Sequence, residues 1–148
     1  MTDTQLTSHR YLSQYRHLQH KIHTCQDKID LYTSAVNTVC KPLTDNETKH
    51  TPGENSEEKR LAILIDLKSD MQIIVDHNNK ICDTIMRLIT KADDVDLMMD
   101  IYVVGDAIAD MAKRLKLCEM TIRRCRNRQL DTIYGIAKRN NINLDTIC

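Results

Sequence analysis

Phenylalanine and tryptophan are absent from this chain of 148 residues, glycine occurs three times and proline twice. So few breakers leave few places for turns, and the apolar residues are mostly Leu, Ile, Val, Met and Ala, which helices accept. Alternation of β-branched and aromatic residues with period two is missing throughout, which argues against a sheet. No apolar run approaches the ~20 residues needed to span a bilayer, so a membrane segment is not expected. The glycines are isolated and form no phosphate-binding loop. No nucleophile, base and orienting acid stand together in a recognisable motif, and an enzyme is not expected.

The six cysteines, Cys25, Cys40, Cys82, Cys118, Cys125 and Cys148, include no CxxC pair, which excludes the common zinc spacings. The opening MTDTQLTSHRYLSQ lacks the apolar core of a signal peptide, so reduced thiols in a cytosol are expected. Cys25, Cys82 and Cys125 fall in phase with apolar neighbours and read as small buried hydrophobes. His17, His20 and His23 are spaced by three, but no fourth ligand accompanies them, so they read as solvated side chains. No metal or cofactor is expected.

Lysine plus arginine and aspartate plus glutamate both total 21, so the chain is neutral overall. The charges are nevertheless segregated. Residues 106–139 carry nine basic side chains against four acidic ones, whereas residues 41–94 carry eight basic and eleven acidic. Local basicity of this kind points to an anionic partner for the C-terminal third.

Two long helices are expected first. Tyr11, Tyr15, Leu18, Ile22, Cys25, Ile29, Tyr32, Val36 and Val39 recur at alternating intervals of four and three, the 3.5-residue repeat of a helix packed along a partner. This helix should begin near Thr4 or Thr7 and stop before Pro42. Residues 41–56, KPLTDNETKHTPGENS, read as a loop with a mobile tip, and Ser56 as the cap of the second helix. That helix carries Leu64, Leu67, Met71, Ile74, Asn78, Ile81, Ile85 and Leu88, with Ile63, Val75, Cys82 and Ile89 widening its apolar face. Asn78 on the seam leaves two readings open: a buried asparagine that fixes register, or a local rotation that turns it to water.

After a break at Ala92, Asp93 and Asp94, a short helix with Leu97, Met98, Ile101 and Tyr102 should end at Gly105. Ile108, Met111, Ala112, Leu115, Leu117, Ile122 and Cys125 then fit two helices joined by a tight turn. The first spans 106–116, the turn passes through Leu117 and Cys118, and the second starts at Glu119. Ala112 is informative, because closely crossing helices leave no room for a bulky side chain. Leu115, Leu117 and Ile122 are expected beneath the turn. With Ile122 and Cys125 inward, Thr121, Arg123, Arg124, Asn127 and Arg128 fall near the exposed side. Arginine bonds guanine edges and asparagine adenine edges, and both hold phosphates. Arg123, Arg124 and Asn127 are therefore assigned to the major groove, and Lys113, Arg126 and Arg128 to phosphate.

The segments YLSQYRHLQHKI and IYVVGDAIADMAKRLKLCEMTIRRC, with the helical pair between them, resemble phage-encoded regulators of the ArpU and RinA type. The resemblance rests on Tyr102 and Gly105, on Ile108, Met111, Ala112 and Leu115, and on Thr121 and Ile122. It implies a helix-turn-helix like region four of sigma factors behind a coiled-coil arm, and transcriptional control in the cytosol of a bacterial host. The chain departs from the pattern at Lys116, where glycine is usual, and at Cys118, where serine is common.

The expected architecture is thus all-α: a long antiparallel helical hairpin over 1–92 and a three-helix DNA-binding unit over 93–148. The helix 119–133 would enter the major groove of double-stranded DNA. The arm would form a homodimer and set half-site separation, or engage host RNA polymerase. Two rival readings are a protein-interaction module, whose basic face meets a polymerase subunit or a host defence protein, and a DNA-packaging recognition subunit.

Overall fold

Alternating four- and three-residue spacing and scarce breakers produce helices. In the computed structural model, which describes residues 1–39 and 54–146, these are α1 (Asp3–Val39), α2 (Glu54–Thr90), α3 (Val95–Met99), α4 (Ile108–Leu115) and α5 (Glu119–Arg139). A π-helical turn, Asp100–Val104, lies between α3 and α4. Every regular element among the described residues is a helix, and the fold is all-α. The loop expected over 41–56 falls mostly outside the described residues, as do Cys40 and Cys148. Because α2 already begins at Glu54, Ser56 lies within the helix and does not cap it.

The start of α1 also lies earlier than expected, for a local reason. Thr2 Oγ1 accepts from the Gln5 amide at 3.3 Å, and Gln5 Oε1 accepts from the Thr2 amide at 3.0 Å. This reciprocal pair is a capping box, which satisfies two amides at the N-terminus.

The chain divides into two compact units, one of residues 1–20 and 79–148 and the other of 21–78. The division differs from the expected boundary at 92, because the first turns of α1 are bonded to the C-terminal helices. Gln5 Nε2 donates to Asp131 at 2.7 Å, His9 Nδ1 and the Tyr102 hydroxyl share a hydrogen bond of 2.7 Å, and Gln14 Nε2 donates to the Thr146 carbonyl at 3.1 Å. Leu12 and Ser8, which lie off the predicted stripe, are fully buried in this unit. From α2 it takes Ile85, Leu88 and Ile89 into its core. Along α5, burial continues past the expected end at 133: Leu130, Ile133 and Ala137 have no exposed surface.

Within the unit of 21–78, Ile22, Cys25 and Val75 are buried, while Ile29, Tyr32, Leu64, Leu67, Met71 and Ile74 are half-buried. Asn78 is buried, so it is not turned to water, and its Nδ2 lacks a hydrogen-bond partner. Leu31, Ile63, Ile65 and Ile73 are more than half exposed. Ile63, expected to widen the packed face, therefore points elsewhere.

Two positions with positive φ set the corners around α4. Gly105 (φ 86°) closes the π-helical turn, its amide reaching the Asp100 carbonyl at 2.8 Å, and the Arg16 guanidinium lies over it. Lys116 (φ 53°, ψ 38°) ends α4, and the next amide, of Leu117, bonds the Ala112 carbonyl at 3.0 Å. Asn141 (φ 53°) ends α5 in the same way, with the Ile142 amide on the Ala137 carbonyl at 2.9 Å. A left-handed conformation disfavours any side chain with a Cβ by on the order of 1 kcal/mol. Gly105→Ala is therefore expected to destabilise the protein by about 1–2 kcal/mol. Lys116→Gly is expected to stabilise it by about 0.5–1 kcal/mol, the freedom of glycine in the unfolded chain offsetting part of the gain. Chemical denaturation of the two variants checks both, and shifts of the same sign would contradict the assignment of these corners.

Candidate nucleic-acid interface

The site is built on the corner between α4 and α5. Asp94 caps α3 by accepting from the Leu97 amide at 3.1 Å. Leu97 then joins Met111, Ala112 and Ile122 in a buried cluster, with Ile101, Ile108 and Cys125 packed at its edge. Ala112 lets α4 approach α5, and Ile122 fills the space between them. Arg114 holds the two ends of the π-helical turn, donating to Asp100 at 2.5 Å and to Asp106 at 2.9 Å. These exposed pairs each contribute little alone, but the shared guanidinium fixes α4 against the turn before it.

Leu115 and Leu117 depart from expectation. Both are about half exposed, 48% and 49%, and only Ile122 of the three residues expected beneath the corner is buried. The left-handed Lys116 swings the chain outward, so the leucines on either side of it edge a cavity instead of filling it.

Cys118 stands at the cap of α5 in extended conformation. Its Sγ lies 3.0 Å from Thr121 Oγ1. That contact draws the exposed thiol below its ordinary pKa. Glu119 in the first turn suits the helix dipole and accepts from Arg123 at 3.2 Å.

The seven predicted contact residues separate into three groups. Lys113, Arg124 and Arg128 are exposed. Arg123 is exposed but held by Glu119, and Thr121 is half-buried against Cys118. Arg126 and Asn127 are half-buried and bonded to each other, Arg126 Nε and Nη2 donating to Asn127 Oδ1 at 3.2 and 3.0 Å. Arg126 faces inward enough for its charge to act on His9 and Tyr102. Its place on the helix explains this: Gln129 and Ile133 lie three and seven residues beyond it, and Ile122 four before it, all on the buried face. Lys116, not assigned a contact from the sequence, is a further exposed cation at the corner.

Local sequence gave no sign of the His9 and Tyr102 pair, which joins residues 93 positions apart. The rings meet edge-on with centroids 5.6 Å apart. Burial lowers the His9 pKa and the Arg126 charge lowers it further; burial raises that of Tyr102, with Arg126 acting in the opposite sense. Gln129 is a second unforeseen link, its buried side chain accepting from the Asp93 amide at 2.9 Å.

Among the described residues no group of three or more His, Cys, Asp and Glu side chains is placed to hold a metal ion, and no helix is long and apolar enough to cross a membrane. In comparisons with known proteins, no family model, curated protein or solved structure matches the chain.

His9 makes stability depend on pH. Its folded pKa is depressed, so below the ordinary value of about 6.5 the unfolded chain binds more protons than the folded one. The stabilisation is full above that value and is lost as pH falls toward the lower, folded pKa. The wild type is expected to melt at a lower temperature at pH 5.5 than at pH 7.5, and His9→Gln to show a flatter profile. Parallel profiles for the two proteins would remove His9 as the cause.

Proposed function

We propose that the chain is a DNA-binding transcriptional regulator whose α4, corner and α5 act as a helix-turn-helix, as its resemblance to phage regulators of the ArpU and RinA type implies. The observation that carries the reading is the orientation of α5. Its inner face is buried over 122–137, while Arg124 and Arg128 stand one turn apart on the outer face, with Lys113 and Lys116 exposed beside the corner. In this reading Arg124 and Arg128 enter the major groove, and Lys113 and Lys116 hold phosphate on either side of it. Arg123 joins them on exchanging Glu119 for the nucleic acid. Arg126 and Asn127 take a supporting part, because their mutual bonds and half-buried positions occupy the atoms that would read a base.

The long helices serve as an antiparallel hairpin arm that pairs two copies. Leu31, Ile63, Ile65 and Ile73 leave apolar surface on residues 21–78 that a second arm can cover. Two-fold pairing would present two α5 helices to successive turns of DNA. The arm is also the candidate contact for host RNA polymerase, and the cytosol of a bacterial host is the compartment in which this reading operates.

Anisotropy titrations with labelled random duplex at two salt concentrations test the DNA reading. Binding should weaken steeply with salt, and the Arg124→Ala, Arg128→Ala double variant should bind more weakly. Its slope of log affinity against log salt should shrink by roughly 0.9 for each phosphate that the variant no longer neutralises. Absence of binding at low salt, or an unchanged double variant, would sink it. For the arm, sedimentation should find the wild type dimeric and an Ile63→Lys, Ile73→Lys variant monomeric; a wild type that is monomeric at high concentration counts against pairing.

A further inference from the structure

Residues before and after the corner that orients α5 line a cavity of about 190 Å³. Leu97, Met111, Leu115, Leu117, Ile122 and Cys125 form its apolar wall, and the remaining lining residues, Asp94, Asp96 and Asp100, are all acidic. A single exposed leucine is ordinary on a protein surface. Here two, Leu115 and Leu117, edge the same opening, and Met120, 56% exposed, follows them in the chain.

Size and charge together restrict the occupant. Pockets for small-molecule ligands usually enclose roughly 300–1,000 Å³, so this one suits one or two aliphatic side chains better than a cofactor. Asp100 is paired with Arg114, but among the described residues Asp94 and Asp96 enter no ion pair, and no lysine or arginine lines the cavity. The lining is therefore acidic around an apolar floor, with Lys116 outside it although it stands between Leu115 and Leu117 in the chain. Phosphates are repelled from such a rim, while an ammonium or guanidinium beside an apolar anchor gains on both counts.

We propose that this acid-rimmed pocket docks a basic amphipathic segment of a partner protein, which inserts one aliphatic side chain against Leu115 and Leu117 and lays lysine or arginine beside Asp94 and Asp96. The pocket, whose lining includes none of Lys113, Lys116, Arg124 and Arg128, is a site separate from the one assigned to DNA. It gives the corner a second recognition surface of opposite charge.

The test uses the full chain, labelled for amide spectra, and two synthetic helical peptides. Both have leucine on one face; one carries lysine on the other face and its counterpart carries glutamate. The lysine peptide should bind saturably and shift amides of residues 94–100 and 111–125. The glutamate peptide should bind roughly tenfold more weakly or not at all. Leu117→Ser, at an exposed position that should leave folding intact by circular dichroism, should weaken the lysine peptide by roughly tenfold by removing part of its apolar seat. Asp96→Asn should weaken it at low salt and have little effect at high salt, where the rim charge is screened. Equal binding of both peptides, shifts confined to other acidic stretches, or an unaffected Leu117→Ser variant would overturn the proposal. So would self-association of the chain that Leu117→Ser abolishes, because the pocket would then belong to a second copy.

Discussion

Burial of one face of α5 along nearly its whole length is the constraint from which the candidate site follows. Ile122 fits among Leu97, Met111 and Ala112, and Leu130, Ile133 and Ala137 are sealed from solvent farther along. Each fully buried aliphatic side chain contributes on the order of 1.5–3 kcal/mol relative to exposure, so rotating the helix would cost more than any surface ion pair could return. With the inner face fixed, the direction of every other α5 side chain is fixed too. Arg124 and Arg128 face solvent because Ile122 and Ile133 cannot. Arg126 shares the inner side and is drawn into a polar arrangement with Asn127, His9 and Tyr102.

Polar bonds then define how the first turns of α1 join that unit. Asp131 receives Gln5, Tyr102 meets His9, and the Thr146 carbonyl receives Gln14. Burial alone is tolerant of sliding, whereas a hydrogen bond of 2.7 Å accepts little displacement. Leu12 and Leu18 supply the apolar contact, and these bonds select one register for it. Because burial and the nearby guanidinium lower the His9 pKa, that register is also sensitive to acid.

Much of this was legible in the sequence where the physics is local. The stripe from Tyr11 to Cys25, the cap at Asp94, the glycine stop at 105, the small residue at 112 and the start of α5 at Glu119 follow from spacing and capping chemistry, and the structure has each of them. The capping box of Thr2 and Gln5 was equally local, and its T-x-x-Q spacing could have been read. What spacing could not reveal was the second neighbour of α1. Leu12 and Ser8 lie off a two-helix stripe and are buried in a unit where α1 is also bonded to residues 93, 126 and 132 positions away. The same limitation applied to α5: a pattern read as ending at 133 continues to Arg139, since Ala137 is small and gives a weak apolar signal. Leu115 and Leu117 misled in the opposite direction. Their type suggested burial, but the backbone hand at Lys116, which residue type alone does not dictate, turned them outward.

That hand at Lys116 connects the two faces of the corner. A glycine there would impose the same turn at lower conformational cost, so the lysine retains a strained backbone and adds a cation at the exposed edge. Lys113, Lys116, Arg124 and Arg128 stand exposed about the corner, and Asp94, Asp96 and Asp100 line a cavity together with its exposed leucines. A net charge of zero is therefore a sum over surfaces of opposite sign. At ~0.15 M salt the screening length is about 8 Å. A partner pressed against one face feels that face far more than the total, and the leucines give the acidic side an apolar anchor that the cationic side lacks.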